Sequence, residues 1–183
     1  MNARLKRAIL YVGLPVLIML IFIVVTHAIG MRINVTSSMP EGVYILDNHQ
    51  NIQVGSIVSV CLPENVAKEA IDKGYISKNR FCPNGSEPLI KEVIATPQDQ
   101  VMVTPKSMIV TNDKGQEIYK APNHKLSLSG IPIKHFIDFG KQKSGYWVYG
   151  RGNPDLSWDS RYFGGVQKEN IKQVLKPIWI WST

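Results

Sequence analysis

The sequence predicts a mainly β domain with one short helix, preceded by a single membrane-spanning helix. Three observations lead to this fold class. An uncharged and strongly apolar run extends from Ala8 to Val25. After it, segments rich in β-branched and aromatic residues alternate with turn residues, which is typical of β-strands. One stretch, Glu64 to Gly74, has the apolar spacing of an amphipathic helix.

The apolar run is long enough to cross a bilayer. At about 1.5 Å per residue, a helix over Ala8–Val25 spans about 27 Å, close to the thickness of the hydrocarbon core. Three basic residues lie within positions 1–7, and no comparable cluster follows the run, which predicts a cytoplasmic N-terminus. We therefore expect a cytoplasmic tail at 1–7, an anchor at 8–30 and an extracytoplasmic domain at 31–183. The alternative is a cleavable signal peptide, whose apolar core is usually shorter.

The strands are predicted from β-branched and aromatic runs that end at turn residues. The helix ends at Gly74, and residues 152–165 are rich in turn formers. The final segment, 170–181, is extended, although its first half also fits a helical turn. The predicted strands are residues 42–47, 55–62, 88–96, 100–105, 107–119 with a hairpin turn at 112–115, 144–150 and 170–181.

Composition excludes several classes of function. The 183 residues carry a formal net charge of +7, but no dense Lys/Arg block follows the anchor, so we expect no nucleic-acid partner. The four histidines form no metal-ligand motif, and no G-x-S-x-G motif is present. We therefore expect neither a metal, nor a cofactor, nor a Ser-His-Asp triad.

The two cysteines, Cys61 and Cys82, both lie in the part expected outside the cytoplasm. Their spacing matches no zinc or Cys-x-x-Cys motif. In an oxidising compartment such a pair predicts one disulfide. The alternative is two buried free thiols.

Lys91 differs from the other lysines because its segment is apolar. It is flanked by Leu89, Ile90, Val93 and Ile94. Burial disfavours the charged form of a lysine, and a neutral amine can take the proton of a serine. This environment makes Lys91 a candidate general base. The alternative is an edge-strand lysine that prevents outward strand pairing.

Two other segments contain residues capable of chemistry. "VTSSMPEGVY", Val35 to Tyr44, places two serines and a Met-Pro turn directly after the anchor. "SWDSRYFGG" near the C-terminus contains Asp159 and Arg161, whose spacing allows a partly buried ion pair. On their own, the first segment also fits a plain loop and the second a solvated turn.

Together, these three segments resemble the type I signal peptidases. That family consists of membrane-anchored Ser-Lys endopeptidases with a mostly β catalytic domain. The nucleophile segment is most similar to TraF-type conjugative transfer signal peptidases, whose S-x-P-x-G-x-Y box corresponds to Ser38–Tyr44. The cysteine pair and "PLIKEVIATPQDQV" around Lys91 also resemble this variant. The resemblance covers residues 8–183.

The resemblance implies catalytic roles for three residues. Ser38, which precedes Met-Pro, is the nucleophile, and Ser37 is a bystander. Lys91 is the general base. The Thr36 hydroxyl helps to form the oxyanion hole beside the Ser38 backbone N–H.

Three further residues are implied to support the site. Ser157 orients the lysine amine, while Asp159 and Arg161 form a structural ion pair. One departure stands out, because the family's Gly-Asp-Asn box has Gly152 at its aspartate position here. Either a second supporting carboxylate is missing, or Asp155 substitutes for it. The turn after the lysine strand also departs from the family pattern, reading "IATPQD".

The implied function is processing of an exported precursor at a bacterial inner membrane, with the catalytic domain in the periplasm. The implied partners are the lipid bilayer and a precursor that emerges from it, namely the pilin or another component of a conjugative transfer or type IV secretion apparatus. The acyl-enzyme is resolved by hydrolysis or by cyclisation, and the motif is the same for both. The alternatives are a general type I signal peptidase and a non-catalytic membrane-anchored assembly protein. A self-cleaving Ser-Lys repressor would have a DNA-binding N-terminus instead of an anchor.

Overall fold

The computed structural model describes residues 9–48, 51–124, 133–142 and 145–182. The predicted tail at 1–7 lies outside these residues. A π-helical turn, Ile9–Gly13, leads into helix α1, Leu14–Ala28. Within the described ranges, no single helix combines the length and the apolar character needed to span a membrane.

The described residues after α1 are mainly β, as predicted. The strands are β1 Arg32–Asn34, β2 Gly42–Leu46, β3 Ile57–Val60, β4 Leu89–Ala95, β5 Gln100–Val103, β6 Ser107–Thr111, β7 Glu117–Pro122, β8 Gly140–Lys141, β9 Trp147–Tyr149 and β10 Ile171–Ile180. They form a six-stranded sheet, β1-β2-β10-β3-β4-β9, and a four-stranded sheet, β7-β6-β5-β8. Neighbouring strands pair antiparallel.

The predicted helix is confirmed as α2, Glu64–Asp72, and the chain leaves it through Gly74 with a positive φ of 71°. The turn-rich stretch contains a second short helix, α3, Ser160–Phe163. The last segment combines both readings of its sequence, because a 3-10 turn at Lys168–Asn170 precedes β10. The start of the strand predicted from 144 falls outside the described residues.

Strand β4 separates two apolar cores, and this explains why Lys91 is buried. Successive side chains of a strand point to opposite faces. Val93 belongs to the core between the six-stranded sheet, α2 and α3, whereas Ile94 belongs to the core shared with the four-stranded sheet. Lys91 precedes Val93 by two residues, so it shares that face and is 3% exposed. Its neighbour Glu92 shares the face of Ile94.

The predicted disulfide between Cys61 and Cys82 is confirmed. It closes the excursion that leaves β3, contains α2 and returns towards β4. Asn170 Nδ2 donates a hydrogen bond of 3.0 Å to the Cys61 carbonyl, which ties the bridge to the turn before β10. In a chain-entropy treatment, closing a loop of this size stabilises the fold by about 3 kcal/mol.

Candidate active site

Ser38 lies in the tight turn between β1 and β2, and the residues of its sequence box build that turn. The neighbouring Met39 is 2% exposed and anchors the turn in the interior. The Tyr44 hydroxyl donates a 2.6 Å hydrogen bond to the Pro40 carbonyl. Gly42 lies against the β10 backbone, where a Cβ would be 3.0 Å from the Cα of Ile180. These contacts leave the Ser38 side chain half-buried.

The Ser38 turn and β4 bring the two principal candidates together. Lys91 Nζ and Ser38 Oγ are 2.7 Å apart. The pKa of Lys91 is lowered to about 8, mainly because the amine is buried. The Asp159 carboxylate raises this pKa and so offsets part of the effect, whereas the Arg161 guanidinium lowers it further. A substantial fraction of the amine is therefore neutral near physiological pH, and a neutral amine can accept a serine proton.

Thr36 lies beside the pair, with its Oγ1 3.5 Å from Ser38 Oγ. Its hydroxyl donates a 2.7 Å hydrogen bond to Asn34 Oδ1. The Ser38 carbonyl accepts a hydrogen bond, but among the described residues no acceptor takes the Ser38 backbone N–H. This N–H belongs to the nucleophile residue itself, and the Thr36 hydroxyl lies two residues before it.

The carboxylate of Asp159 is fully buried and has several partners. Its Oδ1 accepts from Arg161 Nε at 2.8 Å, and its Oδ2 accepts from the Ser157 hydroxyl at 2.7 Å and the Gly150 N–H at 3.2 Å. The predicted ion pair therefore exists, and it is fully buried rather than partly buried. No hydrogen bond joins Ser157 to Lys91 among the described residues, although both line the same cavity.

Arg161 links this carboxylate to three backbone carbonyls. Its guanidinium donates to the carbonyls of Pro122, Pro154 and Ser157 at 2.8, 2.7 and 3.1 Å. It also stacks over the ring of Tyr149, 4.7 Å from the centroid. A buried charge is tolerated only when it is paired and hydrogen-bonded, and these contacts satisfy that condition.

The strand-to-turn segment after β9 packs directly on the Ser38 turn. Gly152 N–H donates to the Ser38 carbonyl at 3.1 Å, and Asn153 N–H donates to the Ser37 carbonyl at 2.6 Å. Asp155 does not take the place of the missing aspartate in this network. Its carboxylate lies 3.0 Å from His124 Nε2, and its side chain is 58% exposed.

A cavity of about 670 Å³ opens over Ser38 and Lys91. The edge strand β1 and the residues after it form one wall, with Ile33 and Val35 exposed. The segment after α2 contributes Tyr75 to the lining. An extended peptide can lie between such walls, because an edge strand offers unpaired backbone groups.

Sequence reasoning did not single out Asn34, whose side chain bonds to both ends of the Ser38 turn. The only local signal is an asparagine at the end of a short apolar segment, a residue type that often hydrogen-bonds to a following turn. Gly150 was also missed. A Cβ there would be 2.6 Å from Ser157 Cβ, a close approach created by packing of distant segments.

The chain is similar to known proteins over most of its length. The family model described as signal peptidase, peptidase S26, matches residues 4–180. A plasmid transfer protein TraF of Escherichia coli is 27% identical over 187 residues, covering 98% of this chain and 99% of the relative. A conjugal transfer protein TraF of Agrobacterium fabrum is 28% identical, with 84% of each chain covered. A probable conjugal transfer protein TraF of Sinorhizobium fredii is 35% identical, covering 78% of this chain and 73% of the relative. The family match spans almost the whole sequence, and the chain therefore belongs to the signal peptidase family, peptidase S26, with TraF proteins among its relatives.

Proposed function

We propose that this chain is a membrane-anchored serine endopeptidase with Ser38 as nucleophile and Lys91 as general base. The observation that carries the proposal is the 2.7 Å separation between Ser38 Oγ and Lys91 Nζ. Lys91 is 3% exposed, so its amine is held away from bulk water. A serine has no basic partner of its own, and a desolvated amine supplies one.

The reaction begins when Lys91 takes the Ser38 proton and Ser38 Oγ attacks the carbonyl carbon of an extended peptide in the cleft. The peptide C–N bond then breaks, and the leaving amine takes the proton from Lys91. An acyl ester on Ser38 remains. Water, deprotonated by Lys91, then attacks the ester carbonyl. The bond to Ser38 Oγ breaks, Lys91 returns the proton to Ser38 Oγ, and the trimmed protein leaves. An amine in the place of water forms a new peptide bond, so the same residues support cyclisation.

The oxyanion formed during attack needs hydrogen-bond donors. The Ser38 backbone N–H and the Thr36 hydroxyl are the proposed donors, since both lie next to the nucleophile. Removal of one such donor in a serine protease typically costs about 100-fold to 1,000-fold in rate. Reorientation of the Thr36 hydroxyl is required, because it donates to Asn34 in this structure.

Ser157, Asp159 and Arg161 are proposed as supporting residues. The Ser157 hydroxyl donates its hydrogen bond to Asp159 Oδ2. The lone pairs of the Ser157 oxygen are therefore available to accept a hydrogen bond from the Lys91 amine. Asp159 in turn is fixed by Arg161. This chain of contacts supports a role for Ser157 in orienting the lysine amine.

The proposed anchor is the apolar N-terminal segment at 8–30, with the tail at 1–7 cytoplasmic and the domain at 31–183 periplasmic. The π-helical turn continues directly into α1, so the chain is helical from Ile9 to Ala28. The large apolar side chains between Tyr11 and Val25 are exposed. Exposed apolar surface of this kind is stable in contact with lipid.

The end of the six-stranded sheet next to α1 supports the same arrangement. Ile33, Val43 and Trp179 are register partners across β1, β2 and β10, and therefore share one face. Trp179 is 68% exposed and packs edge-to-face with Trp181. Tryptophans are enriched at the level of lipid headgroups. The Ser38 turn directly follows β1 and would lie close to the bilayer surface.

The proposed substrate is a precursor emerging from that surface, namely the pilin or another component of a conjugative transfer or type IV secretion apparatus. The names of the TraF relatives support this choice. The alternative is a general type I signal peptidase that acts on many exported proteins. A non-catalytic assembly role is less well supported, because Ser38 and Lys91 are both present and hydrogen-bonded.

The test is the intact mass of the prepilin precursor co-expressed with wild type, Ser38→Ala, Ser37→Ala or Lys91→Ala. We expect processing by wild type and by Ser37→Ala, which is the matched control for a hydroxyl in the same turn. Ser38→Ala and Lys91→Ala should leave the precursor intact. A product one water lighter than the trimmed chain identifies cyclisation, and the trimmed mass identifies hydrolysis. Processing by Ser38→Ala would refute the proposal, and cleavage of unrelated signal-peptide precursors at equal rates would favour the general peptidase.

A further inference from the structure

Asn34, the last residue of β1, is bonded to both ends of the turn that carries Ser38. It is 5% exposed. Its Nδ2 donates to the carbonyls of Thr36, Met39 and Pro40 at 2.9, 3.0 and 3.1 Å. Its Oδ1 accepts from the Thr36 backbone N–H at 3.2 Å and from the Thr36 hydroxyl at 2.7 Å. One side chain thus fixes the residues before and after the nucleophile.

The orientation of the Asn34 amide follows from these partners. An amide oxygen can only accept hydrogen bonds, whereas an amide nitrogen can only donate. Three carbonyl oxygens face Nδ2, and a flipped amide would direct its own oxygen at all three. The Thr36 N–H would also lose its acceptor. The observed orientation is therefore the one that satisfies these groups.

This orientation determines the state of the Thr36 hydroxyl. A threonine hydroxyl has one proton, and here Asn34 Oδ1 accepts it. The Thr36 oxygen is thereby held 3.5 Å from Ser38 Oγ. When the hydroxyl turns towards an oxyanion, Asn34 Oδ1 retains the Thr36 backbone N–H as a partner. The asparagine thus holds the backbone of Thr36 while its hydroxyl changes acceptor.

We infer that Asn34 is a positioning residue that shapes the nucleophile turn and aligns Thr36 for the oxyanion. This inference rests on the proposed function, since it assumes attack by Ser38. It goes beyond that function because the hydrogen bonds of Asn34 go to Thr36, Met39 and Pro40, and not to Ser38 Oγ or Lys91 Nζ. It acts through Thr36 and through the backbone carbonyls on either side of Ser38. A misplacement of about 1 Å in a catalytic group can cost about 100-fold in rate.

The experiment measures kcat and KM for cleavage of purified prepilin precursor by the full chain in detergent micelles. Asn34→Ala, Thr36→Val and the double variant form a mutant cycle. We expect Asn34→Ala to lower kcat about 100-fold while KM changes less than about threefold. The kcat of the double variant should lie within about threefold of the kcat of the less active single variant, because the effects of residues that act through one another are not additive.

Asn34→Asp is a second variant, which keeps the shape and the acceptor for Thr36 but removes the donor to the three carbonyls. It should also lose kcat at its own pH optimum. The matched control is Asn84→Ala. Asn84 makes the same kinds of bonds in a remote turn, donating to the Leu62 carbonyl and accepting from the Ser86 N–H and hydroxyl. It should lower Tm and leave kcat unchanged.

Three results would overturn the inference: wild-type kcat in either Asn34 variant, an equal loss of kcat in Asn84→Ala, or fully multiplicative effects of Asn34→Ala and Thr36→Val. Tm and near-ultraviolet circular dichroism identify variants that have lost the fold. Ser38→Ala in the same assay separates the two proposals. If Ser38→Ala still cleaves the precursor, the proposed function fails; if it does not and Asn34→Ala retains wild-type kcat, only the inference about Asn34 fails.

Discussion

The backbone N–H of Gly152 donates a 3.1 Å hydrogen bond to the carbonyl of Ser38, which joins the nucleophile turn to the segment after β9. Asn153 makes the equivalent bond to Ser37. The approach is so close that a Cβ on Gly152 would lie 2.7 Å from the carbonyl carbon of Met39. Sterics therefore explain why a glycine occupies position 152, because a side chain there would displace the Ser38 turn.

Substitution of Gly152 by alanine or aspartate should therefore reduce activity strongly. The added Cβ displaces the Ser38 turn, and loss of alignment between nucleophile and base should cost about 100-fold in kcat. The control is Gly145→Ala, another crowded glycine, whose Cβ would lie 3.2 Å from the Val166 carbonyl. That variant should lose stability but keep kcat. A fully active Gly152→Asp would show that the turn adapts to a side chain.

The pH dependence of cleavage should follow the Lys91 amine. Its pKa is lowered to about 8 by burial, and only the neutral amine accepts the Ser38 proton, so kcat/KM should rise with pH and level off above about 8. The pH profile of kcat/KM is the quantity to measure, because it reports the pKa values of groups in the free enzyme. Lys91→Arg should be inactive over the whole range, because its side chain stays protonated. An activity that is flat between pH 6 and 9 would contradict the assignment of Lys91 as base.

The same shift predicts a cost in stability. Lys91 has a pKa of about 8 in the folded protein and 10.5 as its ordinary value. Between these values the unfolded chain binds more protons, so this residue makes stability rise with pH and penalises the fold below about pH 8. Lys91→Met should therefore raise the free energy of unfolding at pH 7 by up to about 3 kcal/mol. Urea titrations at pH 7 and pH 10 test this, and the gain should shrink at pH 10. If Lys91→Met left the free energy of unfolding at pH 7 unchanged or lowered it, burial of the Lys91 amine would not destabilise the fold, and the prediction would be wrong.

The candidate residues differ in how far the sequence could predict them. Ser38 and Lys91 carry local signals, a Ser-x-Pro turn and a lysine within an apolar strand. The disulfide is predicted from two cysteines in the part of the chain expected outside the cytoplasm. Asn34 carries only a weak local signal, and Gly152 stands out only as a departure from the family pattern. The contacts that make both residues important come from segments that meet only in the folded domain. The stretch 152–165 reads as turn-rich, yet it supplies the buried Asp159 and Arg161. Turn residues indicate where the chain bends, but not what it encloses.

The ion pair between Asp159 and Arg161 should be essential for folding. Both residues are fully buried, and removal of either partner leaves a buried charge without compensation, which typically costs about 3 to 5 kcal/mol. Arg161→Met should therefore lower the free energy of unfolding by that amount. The control is Lys134→Met, which removes the partner of Glu69 at 2.5 Å from an ion pair whose side chains are 50% and 31% exposed. Urea denaturation should show a much smaller loss for that variant, and similar losses for both would contradict the role of burial.

Reduction of the disulfide should affect substrate binding as well as stability. The bridge between Cys61 and Cys82 closes the excursion that supplies Tyr75 and Ile76 to the wall of the cleft. Its removal in a Cys61→Ser/Cys82→Ser variant should lower the free energy of unfolding by about 3 kcal/mol, because the unfolded chain gains freedom. The loosened wall should raise KM for the precursor more than it lowers kcat, since Ser38 and Lys91 are held by β1, β2 and β4. Steady-state kinetics with and without dithiothreitol provide the check: reductant should reproduce the change in the wild type and have no effect on the variant. A fall in kcat at constant KM would instead mean that the bridge supports the dyad rather than the wall.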